Sequence, residues 1–180
     1  MFDAVENSFG SPVTDLINSA GTTGLCSALV DAHPETIRDV VDVNVTGTIL
    51  CCREAVTRMS TRRGGKGGSI VNISSGAASI GSPGEFVWYA ATKGAIDSLT
   101  VGLAKEVARD AIRVNAVAPG LISTDLHASM GRPHRCEEMA GAIPMGRSAP
   151  PEEVAGPILW LLSEEASYTT GAVLRVAGGR

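Results

Sequence analysis

Two patterns of hydrophobic residues alternate along the chain. The first is a short and almost uninterrupted apolar run, which is typical of a buried β-strand and occurs at residues 13–17, 69–73, 112–118 and 172–176. The second is a longer stretch with an apolar residue every three or four positions, which is typical of a helix and occurs at residues 2–9, 34–59, 88–107 and 150–162. Because strands that are apolar on both faces alternate with helices, we predict an α/β fold with a parallel sheet covered by helices on both sides.

The composition narrows the class of protein. A chain of 180 residues, 44% of them hydrophobic, is enough for one well-buried domain. The net charge of -4 argues against a nucleic-acid partner, and the only basic cluster, Arg62, Arg63 and Lys66, lies in a glycine-rich loop. No apolar run reaches the ~18 residues of a membrane span, and the first residues lack the basic and apolar regions of a signal peptide. We therefore expect a cytoplasmic protein with no nucleic-acid or membrane partner.

Cysteine and histidine residues do not suggest a metal site. The four cysteines show neither a C-x-x-C pair nor metal-ligand spacing: Cys26, Cys51, Cys52 and Cys136. We expect them to be reduced, structural thiols. His127 and His134 fall in the same stretch of chain as Cys136, but we expect no metal there.

Hydroxyl, phenol and ammonium groups converge in the middle of the chain. Ser74 and Ser75 follow the apolar run at residues 69–73, at the carboxyl edge of the predicted sheet, where α/β proteins bind ligands. Tyr89 and Lys93 are four residues apart in a predicted helix, so they share one face. A cation about 4 Å away contributes roughly 4 kcal/mol at an effective dielectric of ~20, which is enough to bring a phenol pKa of about 10 close to 7. An ordinary pair on a helix surface has the same spacing.

Three further stretches belong either to a site formed with these hydroxyl, phenol and ammonium groups or to the ordinary structure of the fold. The turn Asn18-Ser19-Ala20-Gly21 consists of small residues, which let a ligand or a neighbouring strand approach the backbone. Asn44 stands among valines in a long predicted helix, either as a tolerated interior polar group or as a placed one. Residues 121–147 are rich in Gly, Pro, Met and His, as expected of a mobile segment over a pocket or of a surface excursion.

Five features, in this order, resemble the motifs of the short-chain dehydrogenase/reductase family over nearly the whole chain. They are the turn Asn18-Ser19-Ala20-Gly21, Asn44, Ser75, the pair Tyr89-x-x-x-Lys93 and the turn Pro119-Gly120. The resemblance implies a Rossmann-type domain and hydride transfer between NAD or NADP and an alcohol or carbonyl substrate, of sugar, steroid or 3-oxoacyl type. It also implies a homo-oligomer, either a tetramer or a dimer.

The resemblance also implies roles for individual residues. Tyr89 would exchange a proton with the substrate oxygen, and Ser75 would hydrogen-bond the same oxygen. Lys93 would lower the pKa of the phenol and hold the nicotinamide ribose, and Asn44 would hold a water that links Lys93 to solvent. The residues implied to bind the cofactor are Asn18, Ala20, Gly21, Tyr89, Lys93, Pro119, Gly120, Ile122 and Thr124.

The sequence departs from the family pattern in three places. Ser19 replaces the second asparagine of the turn. The segment between the serines and Tyr89 is slightly longer than the commonest spacing, which leaves Ser74 or Ser75 open as the serine that faces the substrate. We expect Ser75, because the second of a serine pair is the usual family choice. The glycine-rich fingerprint T-G-x-x-x-G-x-G is absent from the sequence, because the chain begins too late to contain it.

These departures define the expected domain. Residues 1–180 are predicted to form a single incomplete NAD(P)-binding Rossmann domain that lacks the first βαβαβ portion, through a misplaced start codon or as a fragment, and residues 121–147 are its substrate-side loop. The choice between NAD and NADP depends on a strand in that first portion. The alternative is an inactive remnant that serves as an oligomerisation or interaction module, although the intact Tyr89 and Lys93 argue against it.

Overall fold

Four parallel strands form the central sheet of the protein, which a computed structural model describes over residues 1–180. The strands lie side by side in chain order as β1 (Asp15–Asn18), β2 (Gly68–Ile73), β3 (Ile112–Pro119) and β4 (Val173–Val176). Every neighbouring pair is parallel. Each of the four apolar runs in the sequence therefore forms a strand, and the predicted α/β class with a parallel sheet is confirmed.

Helices occupy the connections between the strands. They are α1 (Phe2–Phe9), α2 (Pro34–Val41), α3 (Thr48–Met59), α4 (Ala77–Ile80), α5 (Val87–Val107), α6 (Leu126–Ser129), α7 (Arg135–Met139) and α8 (Glu152–Leu162). Short 3₁₀ turns lie at Leu29–Asp31, Thr61–Arg63, Ala108–Asp110, Ala140–Ala142 and Glu164–Ala166. None of these helices has both the length and the apolar character that crossing a membrane requires.

The sheet carries a hydrophobic core on each face. Ile70 in β2 faces the first core, where α3 and α5 pack with side chains such as that of Met59. The next residue, Val71, faces the second core, where α8 packs with Leu161. Successive side chains of a strand point to opposite faces, so an uninterrupted apolar run fills both cores at once. The helices cover both sides of the sheet, as predicted.

The first strand is an edge of the sheet. β1 pairs with β2 alone, and its Ile17 is 43% exposed. The amino-terminal helix α1 is held against α3, because Arg58 of α3 forms ion pairs with Asp3 and Glu6. The ring of Phe2 is buried beneath the same arginine and joins the first core.

Two predicted elements differ in detail from the structure. The long helix predicted over residues 34–59 is continuous but contains a π-helical segment, Asp42–Gly47, between α2 and α3. The segment at residues 121–147, predicted as a loop, contains α6, α7 and a 3₁₀ turn. Arg135 in α7 is 5% exposed and pairs with Glu85, so a tertiary ion pair anchors helices that are too short for hydrophobic periodicity to reveal.

Candidate active site

The catalytic candidates meet at the carboxyl edge of the sheet. Because the strands are parallel, β2 and β3 end at the same edge, where the serine pair follows β2 and Pro119-Gly120 is the end of β3. The first two turns of α5 carry Tyr89 and Lys93 past this edge. The structure thus brings together the hydroxyl, phenol and ammonium groups that the sequence indicated.

Two clefts open on either side of these groups. The larger, which we call the Lys93 cleft, has a volume of about 370 Å³. The residues that line this cleft and not the other include Ser19, Gly21, Lys93, Ile122 and Thr124. The smaller, which we call the Arg135 cleft, has a volume of about 90 Å³. The residues that line this cleft and not the other include Ile80, Ser82, Phe86, Met130 and Arg135. Six residues border both clefts: Ser75, Tyr89, Pro119, Gly120, Leu126 and His127. The phenol and one serine therefore stand in the wall that the two clefts share.

The two serines have different surroundings. Ser75 lies beside Tyr89, whose pKa its hydroxyl influences, and its Oγ accepts a hydrogen bond from the backbone N–H of Ala77 at 3.1 Å. Ser74 is 2% exposed and donates to the backbone carbonyl of Lys93 at 3.3 Å. Ser75 is thus the serine next to the phenol, while the hydroxyl of Ser74 joins β2 to α5.

The Lys93 ammonium is buried and faces backbone. Lys93 is 4% exposed, its Nζ donates to the carbonyl of Ile73 at 2.7 Å, and Nζ lies 5.6 Å from the centre of the Tyr89 ring. Burial lowers the pKa of Lys93 to about 8, and the nearby Asp97 carboxylate partly opposes this. The ammonium thus lies beside the phenol ring in the Lys93 cleft, but its hydrogen bond goes to β2.

The pKa of the phenol moves in the direction opposite to the one implied by the resemblance. Burial raises the pKa of Tyr89, and the Ser75 hydroxyl beside it lowers the pKa by less. The expectation that Lys93 lowers this pKa is not met within the chain itself, because the loss of hydration on burial is the largest cause of the shift and Lys93 is not among the causes. Tyr89 is a neutral phenol at pH 7 in this structure.

Asn44 is a placed polar group. It is 1% exposed and lies in the π-helical segment, a geometry that is rare and often found at functional sites. Its Nδ2 donates to the carbonyl of Thr22 at 2.8 Å and to Oγ1 of Thr92 at 3.1 Å, and its Oδ1 accepts from the N–H of Thr22 at 2.9 Å. The amide therefore ties the turn after β1 to α5.

A glycine lies where this turn approaches Asn44 and Lys93. A Cβ on Gly21 would lie 3.3 Å from Oδ1 of Asn44, which is a tight contact, and 3.6 Å from Nζ of Lys93, which is an ordinary one. A longer side chain there would occupy part of the Lys93 cleft beside the ammonium. The absence of a side chain thus leaves a cradle in which a ligand can reach Lys93.

Two of the predicted cofactor-binding residues line neither cleft. Asn18 donates from Nδ2 to Oδ1 of Asn72 at 2.8 Å and to Sγ of Cys52 at 3.2 Å, so its side chain joins a network beneath the site. Asn72 in turn donates to Oγ1 of Thr100 at 3.0 Å. Ala20 also lies outside both linings. This hydrogen-bond network was not predicted from the sequence, although Asn72 inside the apolar run of β2 was a signal of it.

The comparisons with known proteins agree with this geometry. The family model described as "Enoyl-(Acyl carrier protein) reductase" matches residues 1–180. An uncharacterized oxidoreductase, YgfF, from Escherichia coli (strain K12) is 51% identical over 180 residues, which are 100% of this chain and 72% of the relative. The chain belongs to the short-chain dehydrogenase/reductase family.

Other members of the short-chain dehydrogenase/reductase family match over nearly the same span. Galactitol 2-dehydrogenase (L-tagatose-forming) from Cereibacter sphaeroides is 42% identical over 178 residues, covering 98% of this chain and 68% of the relative. The crystal structure of 3-ketoacyl-(acyl-carrier-protein) reductase from Brucella melitensis, complexed with NADH, superposes with a TM-score of 0.89 at 34% identity. It covers 99% of this chain, which spans 71% of that structure. The fold is thus that of family members with both sugar-alcohol and acyl substrates.

Proposed function

We propose that this protein is an oxidoreductase that transfers a hydride between NAD or NADP and an alcohol or carbonyl substrate. The observation that carries the proposal is the shared wall, in which Tyr89 and Ser75 border both clefts while Lys93 lines only the larger one. A hydride donor in one cleft and its acceptor in the other would come into contact where these residues border both clefts. The relatives with assigned activities are oxidoreductases, so the comparisons give no support to the alternative of an inactive remnant.

The Lys93 cleft is suited to the nicotinamide half of the cofactor, which supplies or accepts the hydride when bound. Lys93 would hold ribose hydroxyls, and Asn44 would support it, with the water between them that the family resemblance implies. Gly21 would let the cofactor approach the turn. Asn18 and Ala20 would support the conformation of that turn without lining the cleft. The carboxamide end would meet the residues that follow the Pro119-Gly120 turn in the same cleft, Ile122 and Thr124.

The Arg135 cleft is suited to the substrate. In carbonyl reduction, the protonated phenol of Tyr89 would donate its proton to the substrate oxygen as negative charge develops there. Ser75 would donate a hydrogen bond to the same oxygen, because its Oγ already accepts from Ala77 and its own proton is free. Residues 121–147, which include Arg135, would form the substrate-side loop.

The raised pKa of Tyr89 predicts different pH profiles for the two directions of reaction. Carbonyl reduction needs the protonated phenol, which is present at neutral pH because burial raises the pKa. Alcohol oxidation needs the phenolate, so its kcat/KM is expected to rise steadily from pH 7 towards pH 10, near the pKa of about 10 of an unperturbed tyrosine. Rates measured in both directions across this range test the assignment. An oxidation rate that is already constant below pH 7 would contradict it.

The two serines provide a matched pair of variants. Ser75→Ala is expected to lower kcat by about 10²-fold with little change in dinucleotide affinity, because one hydrogen bond to the reacting oxygen is lost. Ser74→Ala removes only the bond to the backbone of α5 and is expected to retain most of the rate. Steady-state kinetics of both variants test this. The reverse order of damage would assign the substrate contact to Ser74.

The function is tested by following NADH and NADPH absorbance with a panel of ketoses, 3-oxoacyl thioesters and ketosteroids. The protein used is the longest in-frame product of the gene, with cofactor-only and substrate-only reactions as blanks. The expected result is that one reduced cofactor is oxidised only when a substrate is present. Which cofactor is oxidised shows whether the enzyme uses NAD or NADP. Dinucleotide binding without turnover of any carbonyl or alcohol would reject the proposal.

The assembly and location are part of the same proposal. Large apolar side chains on α3 and α8 are exposed, among them Leu50 at 56% and Leu159 at 63%. Such surfaces support a homo-oligomer, a dimer or a tetramer, formed through these helices. We expect a cytoplasmic location, and the net charge of -4 argues against a nucleic-acid partner. Light scattering at micromolar concentration is expected to give at least a dimer, and a monomer would contradict the assembly.

A further inference from the structure

The hydroxyl of Thr92 joins Asn44 to the residue that carries the phenol. Thr92 lies in α5 between Tyr89 and Lys93, is 3% exposed and lines neither cleft. Its Oγ1 donates to the backbone carbonyl of Tyr89 at 2.7 Å and accepts from Nδ2 of Asn44 at 3.1 Å. A hydroxyl has one proton, so the bond to Tyr89 leaves only its lone pairs for other partners. Thr92 therefore holds the amide of Asn44 by its nitrogen.

The other bonds of the Asn44 amide reach the turn after β1. Nδ2 donates its second proton to the carbonyl of Thr22 at 2.8 Å, and Oδ1 accepts from the N–H of Thr22 at 2.9 Å. Both protons of the amide are thus used, and Asn44 is buried away from bulk water. Gly21, the residue before Thr22, lines the Lys93 cleft. A chain of hydrogen bonds therefore runs from this turn through Asn44 and Thr92 to the backbone of Tyr89.

A second bond from α5 holds the far end of the same turn. Nε1 of Trp88 donates to the carbonyl of Thr23 at 2.8 Å. Trp88 and Thr92 are four residues apart, so they share one face of α5, next to the face that carries the phenol and the ammonium. Thr23 lines the Arg135 cleft, whereas Gly21 lines the Lys93 cleft. Each end of the turn thus has its own attachment to α5, and Thr92 serves the end beside the Lys93 cleft.

We propose that Thr92 is a positioning residue for dinucleotide binding, which acts through the amide of Asn44 on the turn beside the Lys93 cleft. Thr92 itself touches neither the dinucleotide nor the substrate. The inference rests on the proposed function and adds to it a residue that lines neither cleft.

Thr92→Val removes the hydroxyl and keeps the branched shape of the side chain. One proton of the Asn44 amide then has no partner, so in the free protein the amide turns away together with Thr22. Binding must restore the original conformation, and dinucleotide affinity should fall about 5- to 100-fold. The substrate KM at saturating dinucleotide should stay within about twofold of wild type, because the bond from Trp88 to Thr23 is kept. Thr92→Ser keeps the hydroxyl and is expected to restore wild-type affinity.

A double-mutant cycle tests whether Thr92 acts through Asn44. Affinities come from fluorescence titration with NADH and NADPH, well below the unfolding temperature of each variant. Asn44→Ala removes the amide, so adding Thr92→Val to it should change the affinity by less than about twofold. Additive losses would overturn the inference. So would a Thr92→Val protein that unfolds at a lower temperature but binds like wild type, because the hydroxyl would then serve the fold alone.

Amide hydrogen exchange at Thr22 tests the same link without a ligand. The N–H of Thr22 donates to Oδ1 of Asn44, so Thr92→Val should speed its exchange about 5- to 100-fold, while the amides of β2 exchange as in wild type. Thr92→Ser should leave the exchange of Thr22 unchanged. An unchanged rate at Thr22 in Thr92→Val, or equal acceleration at every amide, would overturn the inference. Failure of the proposed function is different, since wild type would then turn over no carbonyl while the exchange of Thr22 would still respond to Thr92→Val.

Discussion

Tyr89→Phe is expected to lower turnover by about 10²- to 10⁴-fold while dinucleotide affinity stays within about twofold of wild type. The substitution removes only the phenolic oxygen. The ring keeps its edge-to-face contact with Phe86, at 5.5 Å between centres, so the shape of the two clefts is retained. Ser75 and Lys93 remain in position, but neither can supply the proton at the same point. Steady-state rates and fluorescence titration with NADH and NADPH provide the two measurements.

The second tyrosine of the chain is the natural control. Tyr168 is fully exposed, at 103%, and lies outside both clefts. Tyr168→Phe therefore makes the same chemical change where no role is proposed, and its rate is expected to match wild type. If Tyr89→Phe and Tyr168→Phe have equal activity, the proton-transfer role of Tyr89 is wrong.

Lys93→Met is expected to destroy activity and yet to stabilise the fold near neutral pH. The loss of the ammonium should weaken dinucleotide binding about tenfold and lower kcat/KM by about 10³-fold, because the same charge holds the ribose and faces the phenol. The lowering of the Lys93 pKa from 10.5 to about 8 corresponds to roughly 3 kcal/mol of unfolding free energy lost to burying the charge. Against this, losing the hydrogen bond from the charged ammonium to Ile73 costs about 1.5–3 kcal/mol.

The sign of this effect gives a pH dependence. Below pH 8 Lys93 is charged in both the folded and unfolded states, so the full cost is present and the variant should be more stable by up to about 1.5 kcal/mol. Between pH 8 and pH 10.5 the unfolded state binds more protons than the folded state, so wild-type stability rises with pH and the advantage of the variant disappears. Urea unfolding at pH 7 and pH 10 measures both values.

Lys105 on the same helix is the control for this experiment. It is exposed near the end of α5. Lys105→Met should therefore leave the activity of the protein, and the pH dependence of its stability, close to wild type. A Lys93→Met variant that is less stable than wild type at pH 7 would mean that the ammonium contributes more through its contacts than its burial costs.

Local patterns in the sequence were sufficient for the architecture and for the central pair. The uninterrupted apolar runs, such as the one that contains Ile70 and Val71, predict two-sided burial because successive strand side chains point to opposite faces. The four-residue spacing of Tyr89 and Lys93 predicts one helix face. Both inferences depend on contacts within a single element, which the sequence specifies directly.

The remaining details of the site depend on contacts between distant segments. Whether Ser74 or Ser75 lies next to the phenol is decided by how the chain turns after β2. The π-helical segment around Asn44 depends on its bonds to Thr22 and Thr92, which are remote in sequence. The direction of the Tyr89 pKa shift depends on how completely the ring is buried, which the spacing of Tyr89 and Lys93 does not show.

The most direct test of hydride transfer between a nicotinamide cofactor and a carbonyl follows an isotope. Wild-type protein is incubated with an accepted carbonyl substrate and NADH or NADPH deuterated at the transferring position of C4, and the alcohol product is analysed by mass spectrometry. The account predicts one deuterium on the carbinol carbon of the product, and none in the product from matched reactions with unlabelled cofactor. Reduced product without deuterium at that carbon, with either face of the nicotinamide labelled, would contradict it.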